Sequence, residues 1–241
     1  MQDRTLSSQS IRAFTRALQS FLEGPCTPTA LGHWQKHLLS EGLSEYGVYV
    51  RQIKKLEPAL WRNVRESLSQ GQVESKLWLY QVLRDVLPPG SYSLHVGGGW
   101  TGTTALLGLW LLPDLIYECT SFDIDPSCEH VARSLNEPYS WNGKFRAETR
   151  DLKNFQFAPH QPQILLNTVC EHQSDFQSWY AQVPKGQFMV LQNNDFFDGR
   201  DHVNCVKNLR EFEEQAPLST VLFAGELSLF DYKRFMLVGV R

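Results

Sequence analysis

Apolar residues recur at helical spacing through the first 88 positions of the chain. From Ser10 to Glu23, Ile11, Phe14, Leu18 and Phe21–Leu22 fall on one side, and Gly24–Pro25 stops the run. A turn-rich stretch with Pro25, Pro28 and Gly32 follows. Ala30 to Leu39 reads as a second helix and Glu45 to Lys55 as another short element. Leu60, Trp61, Val64 and Leu68 predict a helix over Pro58 to Ser69. Leu77, Leu79–Tyr80, Leu83 and Leu87 predict a stronger one over Glu74 to Leu87. Pro88–Pro89–Gly90 ends it and is the best boundary in the sequence. The early aromatics Trp34, Tyr46, Tyr49 and Trp61 read as packing residues.

Beyond residue 90 short apolar runs alternate with helical patterns. Strands are expected at Ser91–Val96, Tyr117–Ile124, Phe145–Asp151, Gln163–Val169 and Gln187–Gln192. Helices are expected at Thr103–Leu112, Pro126–Leu135, Asp175–Val183 and Val206–Gln215. Such alternation implies crossovers and a parallel, doubly wound sheet. Two last β-rich runs, Thr220–Leu229 and Tyr232–Val240, are separated only by Phe230–Asp231. That gap is too short for a helical crossover, so an antiparallel edge strand is expected. The fold class is therefore α/β: a helical N-terminal cap over residues 1–89, followed by a Rossmann-like domain over 90–241.

The 241 residues suit one large domain, or one with an appendage, and 42% hydrophobic content excludes wholesale disorder. A net charge of −3 argues against a general nucleic-acid binder. The longest apolar stretch, Ala105 to Leu112, is far short of the roughly 20 residues of a membrane span. Met1 to Thr5 carry no basic segment leading into an apolar one, so no secretory leader is read. Five cysteines, at 26, 119, 128, 170 and 205, form no C-x-x-C pair. A disulfide framework or structural zinc is not expected, and a reduced cytoplasm is the default location. His33 and His37 have helical i, i+4 spacing, but no third ligand accompanies them, so no metal is expected.

Two segments carry the chemistry. Leu94-His95-Val96-Gly97-Gly98-Gly99-Trp100-Thr101-Gly102 joins a strand to a helix, where glycines let the backbone turn tightly and a ligand approach. Phe122-Asp123-Ile124-Asp125-Pro126 ends the next strand, with Asp123 lying 24 residues beyond Gly99. An acid at that distance is placed to hold a ribose diol, which points to a nucleoside-type ligand.

This region resembles the class I S-adenosylmethionine-dependent methyltransferases over residues 91–241. The resemblance implies that S-adenosylmethionine lies along Gly97, Gly98, Gly99, Trp100 and Thr101, then Asp123 and Ile124. Asp151 and Leu152 follow the third strand, where the family contacts the adenine amino group. Leu166 to His172 matches the segment after the fourth strand, with Asn167 on the cofactor side and Glu171–His172 in the place of an acidic-His pair. The final antiparallel pair matches the family's sheet ending. Two departures stand out: His95 where the family often has an acid, and the bulky Trp100 where a small residue is common. They leave room for enzymes that break another bond of the sulfonium, as nicotianamine synthases do, because geometry decides which carbon reacts.

Other polar residues read as substrate or proton-handling groups. Gln192-Asn193-Asn194-Asp195 follows the fifth strand, and buried amides there could orient an amino-acid-like substrate. Lys76 shares a helix face with Tyr80 and could bind a carboxylate. Glu171, His172 and His202 are the catalytic candidates, since imidazole suits proton removal near neutral pH. The reading is an S-adenosylmethionine-dependent transferase, first of all a methyltransferase of a small polar metabolite. The alternatives are an enzyme that uses the cofactor's aminobutyrate chain and releases methylthioadenosine, and a non-catalytic binding protein. No nucleic-acid or membrane partner is expected. The N-terminal helices could serve as a lid, a homodimer interface or both.

Overall fold

In the computed structural model, which describes residues 6–24, 26–155 and 163–241, the N-terminal third is helical. Met1–Thr5, where no leader is read, and Pro25, read as a helix stop, lie outside the described residues. Helix α1 (Ser8–Glu23) begins at Ser7, whose hydroxyl accepts the Ser10 amide. Helices α2 (Pro28–Ser40) and α3 (Ser44–Lys55) follow. The single helix expected over 58–69 is a 3₁₀ turn (Pro58–Leu60) leading into α4 (Trp61–Ser67). Helix α5 (Gln70–Val86) starts four residues before its expected Glu74 and ends at the Pro88–Pro89–Gly90 boundary. The early aromatics do pack: Phe14 stacks on Tyr46 with ring centroids 4.1 Å apart, and Trp61 donates its indole N–H to the Ile53 carbonyl.

The remainder alternates as expected: β1 (Tyr92–Gly97), α6 (Thr103–Leu111), β2 (Ile116–Asp123), α7 (Pro126–Leu135), α8 (Glu137–Trp141) and β3 (Phe145–Thr149). Then come β4 (Gln163–Asn167), α9 (Phe176–Gln182), β5 (Phe188–Asn194), α10 (Leu209–Gln215), β6 (Thr220–Ser228) and β7 (Lys233–Val240). The strands form one sheet ordered β3-β2-β1-β4-β5-β7-β6. Strands β1 to β5 pair in parallel, and β7 runs antiparallel to both β5 and β6.

One expectation needs correction. The antiparallel strand is not at the edge; β7 is inserted between β5 and β6, and β6 is the edge. Burial gives the reason. Arg234 to Gly239 of β7 are buried without a break, whereas Val221 and Leu222 of β6 are exposed. A strand covered on both faces belongs inside the sheet. Helix α8 was not expected either; five residues with a proline at the start carry too little periodicity to register.

Helix α6 fixes how the layers sit. Its sequence, TTALLGLWL, is apolar nearly all round, and all nine residues are buried. Such a helix must be covered on every side, here by the sheet and by the N-terminal helices. Residues of α1 to α5 and of the sheet belong to one apolar cluster, which includes Ile11, Leu83, Leu106, Val96 and Met236. The Tyr80 hydroxyl donates to the Thr104 carbonyl at 2.6 Å, and Ser75 donates to Gln192 of β5 at 2.9 Å. These bonds tie α5 to the start of α6 and to β5. A second cluster, with Phe176, Trp179 and Phe212, fills the opposite face. No helix among the described residues is long and apolar enough to cross a membrane.

Candidate active site

The loop from β1 into α6 is shaped by contacts that only small residues allow. Gly98 has φ +62, and a Cβ there would lie 2.3 Å from Cγ2 of Val169. A Cβ on Gly99 would lie 1.8 Å from the Ser121 hydroxyl. Trp100 also adopts a left-handed φ of 46, a strained state for a bulky residue. Its amide donates to Oδ2 of Asp123 at 2.9 Å, and the Asp125 amide donates to Oδ1 at 3.1 Å. Asp123 thus ties the glycine loop to the end of β2. An ionised carboxylate has about four acceptor sites, so it keeps capacity for a ligand hydroxyl.

A cavity of about 630 Å³ opens beside this loop, and a second of about 240 Å³ adjoins it past Asp123 and Ile124. Gly98, Gly99, Trp100, Thr101, Asp123 and Ile124 line the first, as do Lys76, Glu171 and His172. Asp151 and Leu152 line the second. Eleven residues named by the sequence reading therefore line the two cavities, and they come from five separate segments.

Five residues it named lie elsewhere. Gly97 does not line either cavity; it is small because the Leu152 side chain crosses it, 2.6 Å from a built Cβ. Asn167 is fully buried, donates to Gln173 and accepts from the Val169 amide, so it shapes the turn after β4. Asn193, expected on substrate, donates instead to the Asn204 carbonyl and to Gln215. Asn194 donates to Oε1 of Glu171 at 2.8 Å and is a support behind the wall. His202 also lies off the cavity lining, with Nδ1 on the Phe196 carbonyl at 2.7 Å.

The departure at His95 has a structural account. Its ring packs with Phe122 and Phe155, at centroid distances of 6.0 and 4.9 Å, and faces neither cavity. Burial pushes its pKa down to about 4, so it is neutral at physiological pH.

Charge concentrates at the inner end of the larger cavity. Arg234 of β7 and Glu171 form an ion pair at 2.9 Å with side chains only 4% and 3% exposed. Arg234 also donates to the Thr168 carbonyl. Lys76 reaches the same end, bonded to Gln72 of its own helix. Burial, helped by the Arg234 charge, lowers its pKa to about 7. Arg234 was missed from sequence, although a signal existed: it directly precedes the apolar run Phe235–Val240 within the stretch read as a strand, and a charge on a buried strand is costly.

All five cysteines are free, and burial raises the thiol pKa values, to about 12 for Cys128 and about 11 for Cys205. They stay protonated and offer no nucleophile. Glu171, His172 and His202 do converge, with one ligand atom from each lying within 4.8 Å of the others. The i, i+4 spacing of His33 and His37 carries no sign of this cluster, and no metal was expected from sequence.

No protein-family model matches the chain, and no curated protein matches it by sequence. Solved structures do. An N-methyltransferase, NodS from Bradyrhizobium japonicum WM9 in complex with S-adenosyl-L-homocysteine, matches at 14% identity, TM-score 0.52, over 81% of this chain and 98% of its own. Geranyl diphosphate methyltransferase in complex with GPP and sinefungin matches at 10% identity, TM-score 0.52, over 73% and 80%. The [4+2]-cyclase SpnF matches at 11% identity, TM-score 0.51, over 65% and 62%. These likenesses establish the architecture: the chain has the Rossmann-like fold of the class I S-adenosylmethionine-dependent methyltransferases.

Proposed function

We propose that this protein is an S-adenosylmethionine-dependent transferase, in the first place a methyltransferase of a small, polar, amino-acid-like acceptor. The observation that carries the reading is the pair of adjoining cavities at the carboxyl ends of β1, β2 and β4, which is where ligands bind in sheets of this kind. In this reading Asp123 accepts from the ribose hydroxyls. Ile124, 72% exposed beside the cavity, and Leu152 flank the adenine, with Asp151 at its edge. Gly98 to Thr101 and the start of α6 hold the methionine portion.

The acceptor then lies at the inner end, against Lys76, Glu171, His172 and Arg234. Two cations and a carboxylate around one space complement a molecule that carries both an acid and an amine. Methyl transfer needs an acceptor lone pair in line with the methyl–sulfur bond, about 3 Å from the methyl carbon. The new bond forms to carbon, and the breaking bond's electrons neutralise the sulfonium. An ammonium acceptor first loses a proton, for which the bases are His172 and the neutral form of Lys76, whose pKa of about 7 leaves it part uncharged.

The test is calorimetric titration with S-adenosylmethionine, then mass spectrometry of the cofactor products after incubation with candidate amino acids and cell extract. Asp123→Ala is expected to weaken binding by about 10- to 100-fold, the worth of hydrogen bonds to a charged acceptor. S-adenosylhomocysteine as product supports methyl transfer. Methylthioadenosine would move the reading to the aminobutyrate chain, which the strained Trp100 beside the methionine position favours as second choice. Absence of binding overturns both.

A further inference from the structure

We infer that Glu171, His172 and His202 form a binding site for one divalent transition-metal ion beside the larger cavity. The three residues come from the 3₁₀ turn Cys170–His172 after β4 and from the segment between β5 and α10. A carboxylate oxygen and two imidazole nitrogens lie within 4.8 Å of one another. Two imidazoles and one carboxylate are a donor set that suits zinc or ferrous iron, with a position left open.

The hydrogen bonds say which atoms are free. Nδ1 of His172 lies 3.0 Å from the Asp201 carbonyl, and Nδ1 of His202 lies 2.7 Å from the Phe196 carbonyl. A carbonyl can only accept, so each Nδ1 carries the proton and donates. Each Nε2 is then left with its lone pair, which is how a second bond fixes the tautomer of metal-binding histidines. The rings stand edge to face, with centroids 4.6 Å apart.

Glu171 supplies the independent sign. Its Oε1 accepts from Arg234 and Asn194, while Oε2 is buried with no hydrogen-bond partner. A buried carboxylate oxygen without a donor is costly, and a cation removes that cost. Arg234 does not compete, because it occupies the other oxygen. The cluster must tighten, since ligand atoms about 2 Å from a common ion stand closer than those here. His202 sits on the loop before α10, outside any helix or strand, so such a shift breaks no strand ladder or helical turn. The loop is stitched to Glu171 at its far side: the Val203 and Asn204 amides donate to the Glu171 carbonyl at 2.8 and 2.9 Å. The open position faces the cavity that Glu171 and His172 line, so its exchangeable ligand is an oxygen or nitrogen donor of the acceptor, and Lys76 is left as the base. Only this assignment of the open position rests on the proposed function.

The test uses the purified full-length protein, stripped with chelator and titrated with Co²⁺ alone. The expected result is one equivalent bound, with visible d–d bands of a nitrogen- and oxygen-ligated ion, displaced by Zn²⁺. His202→Ala and His172→Ala are each expected to weaken binding by more than about 100-fold, while His33→Ala with His37→Ala leaves it unchanged. Glu171→Gln is read only if its circular dichroism matches wild type; the histidine variants carry the test otherwise. No stoichiometric Co²⁺ binding, or binding that survives both histidine substitutions, overturns the inference. S-adenosylmethionine titrated into the same samples separates the two proposals. Cofactor binding without metal binding removes only this one, and metal binding without cofactor binding removes only the transferase.

Discussion

Replacing Arg234 by methionine tests the electrostatic reading of the site most directly. The substitution keeps most of the aliphatic volume on β7 and removes the charge. Glu171 then keeps one donor on Oε1, Asn194, and still has none on Oε2. With side chains 4% and 3% exposed, solvent cannot replace the lost partner and salt screens the pair little. Breaking such a pair from one side costs about 3–5 kcal/mol, because an uncompensated charge stays buried. For a chain of this size that is a fall in Tm of roughly 6–20 °C. Urea unfolding of wild type, Arg234→Met, Glu171→Gln and the double variant measures it. The double variant is expected to recover much of the loss, since no lone charge remains, giving a coupling energy of about 1–3 kcal/mol. A loss below about 1 kcal/mol in Arg234→Met, or strictly additive effects, would refute the buried-pair argument.

Three further outcomes are expected. Gly98→Val combines a left-handed φ with a clash against Val169, so cofactor binding is lost by calorimetry while the far-ultraviolet spectrum is retained; unchanged affinity would contradict the loop geometry. His95, with a folded pKa of about 4 against an ordinary 6.5, contributes stability as a neutral ring. That stability is present above about pH 6.5 and is lost as pH falls toward 4, by about 3 kcal/mol in all. His95→Phe is expected to flatten this slope in unfolding measured at pH 7, 5 and 4, and an unchanged slope would assign acid sensitivity elsewhere. Lys76, with a folded pKa of about 7, makes the unfolded state bind more protons between pH 7 and 10.5, so stability rises with pH there. Lys76→Met is expected to abolish that rise, to be more stable than wild type at pH 7, and to raise KM for an anionic acceptor; lower stability at pH 7 would mean the lysine charge is well compensated.

The sequence made the alternation of β1 to β5 with their helices legible because periods of 2 and 3.6 are local properties. The glycine loop and Asp123 were legible for a similar reason, since one crossover fixes their spacing. Strand order is not local. Between residues 220 and 240 the only sign is the unbroken apolar run Phe235–Val240, and it decides the order only once that strand is seen to be buried on both faces. The misassigned pair Asn193 and Asn194 shows a different limit. Adjacent strand residues point to opposite faces, so at most one could meet a ligand held on one side. Asn193 turns toward Asn204 and Gln215, whereas Asn194 reaches Glu171. The alternation alone would have removed one of them. Arg234 was overlooked because Lys233 and Arg234 together read as a charged start to the strand, and only burial shows that Lys233 is exposed while Arg234 is not.

The fold leaves the reaction open, because one architecture here is shared by methyltransferases and by a cyclase. What individualises the chain is the inner end of the cavity, and its charges come from three places: Lys76 from α5, Glu171 from the turn after β4, and Arg234 from β7. None of the three is near another in sequence, and all three are buried. Lys76 belongs to a helix that Tyr80 and Ser75 bond to α6 and β5, so its depressed pKa depends on those helices being docked. An anion entering this end favours the charged amine and raises that pKa again. By linkage, a carboxylate acceptor then binds with uptake of a proton above pH 7, and binds more tightly as pH falls toward 7. On the proposed function the N-terminal helices are in this sense part of the specificity device: by keeping Lys76 dry they make the site respond to the charge of what enters.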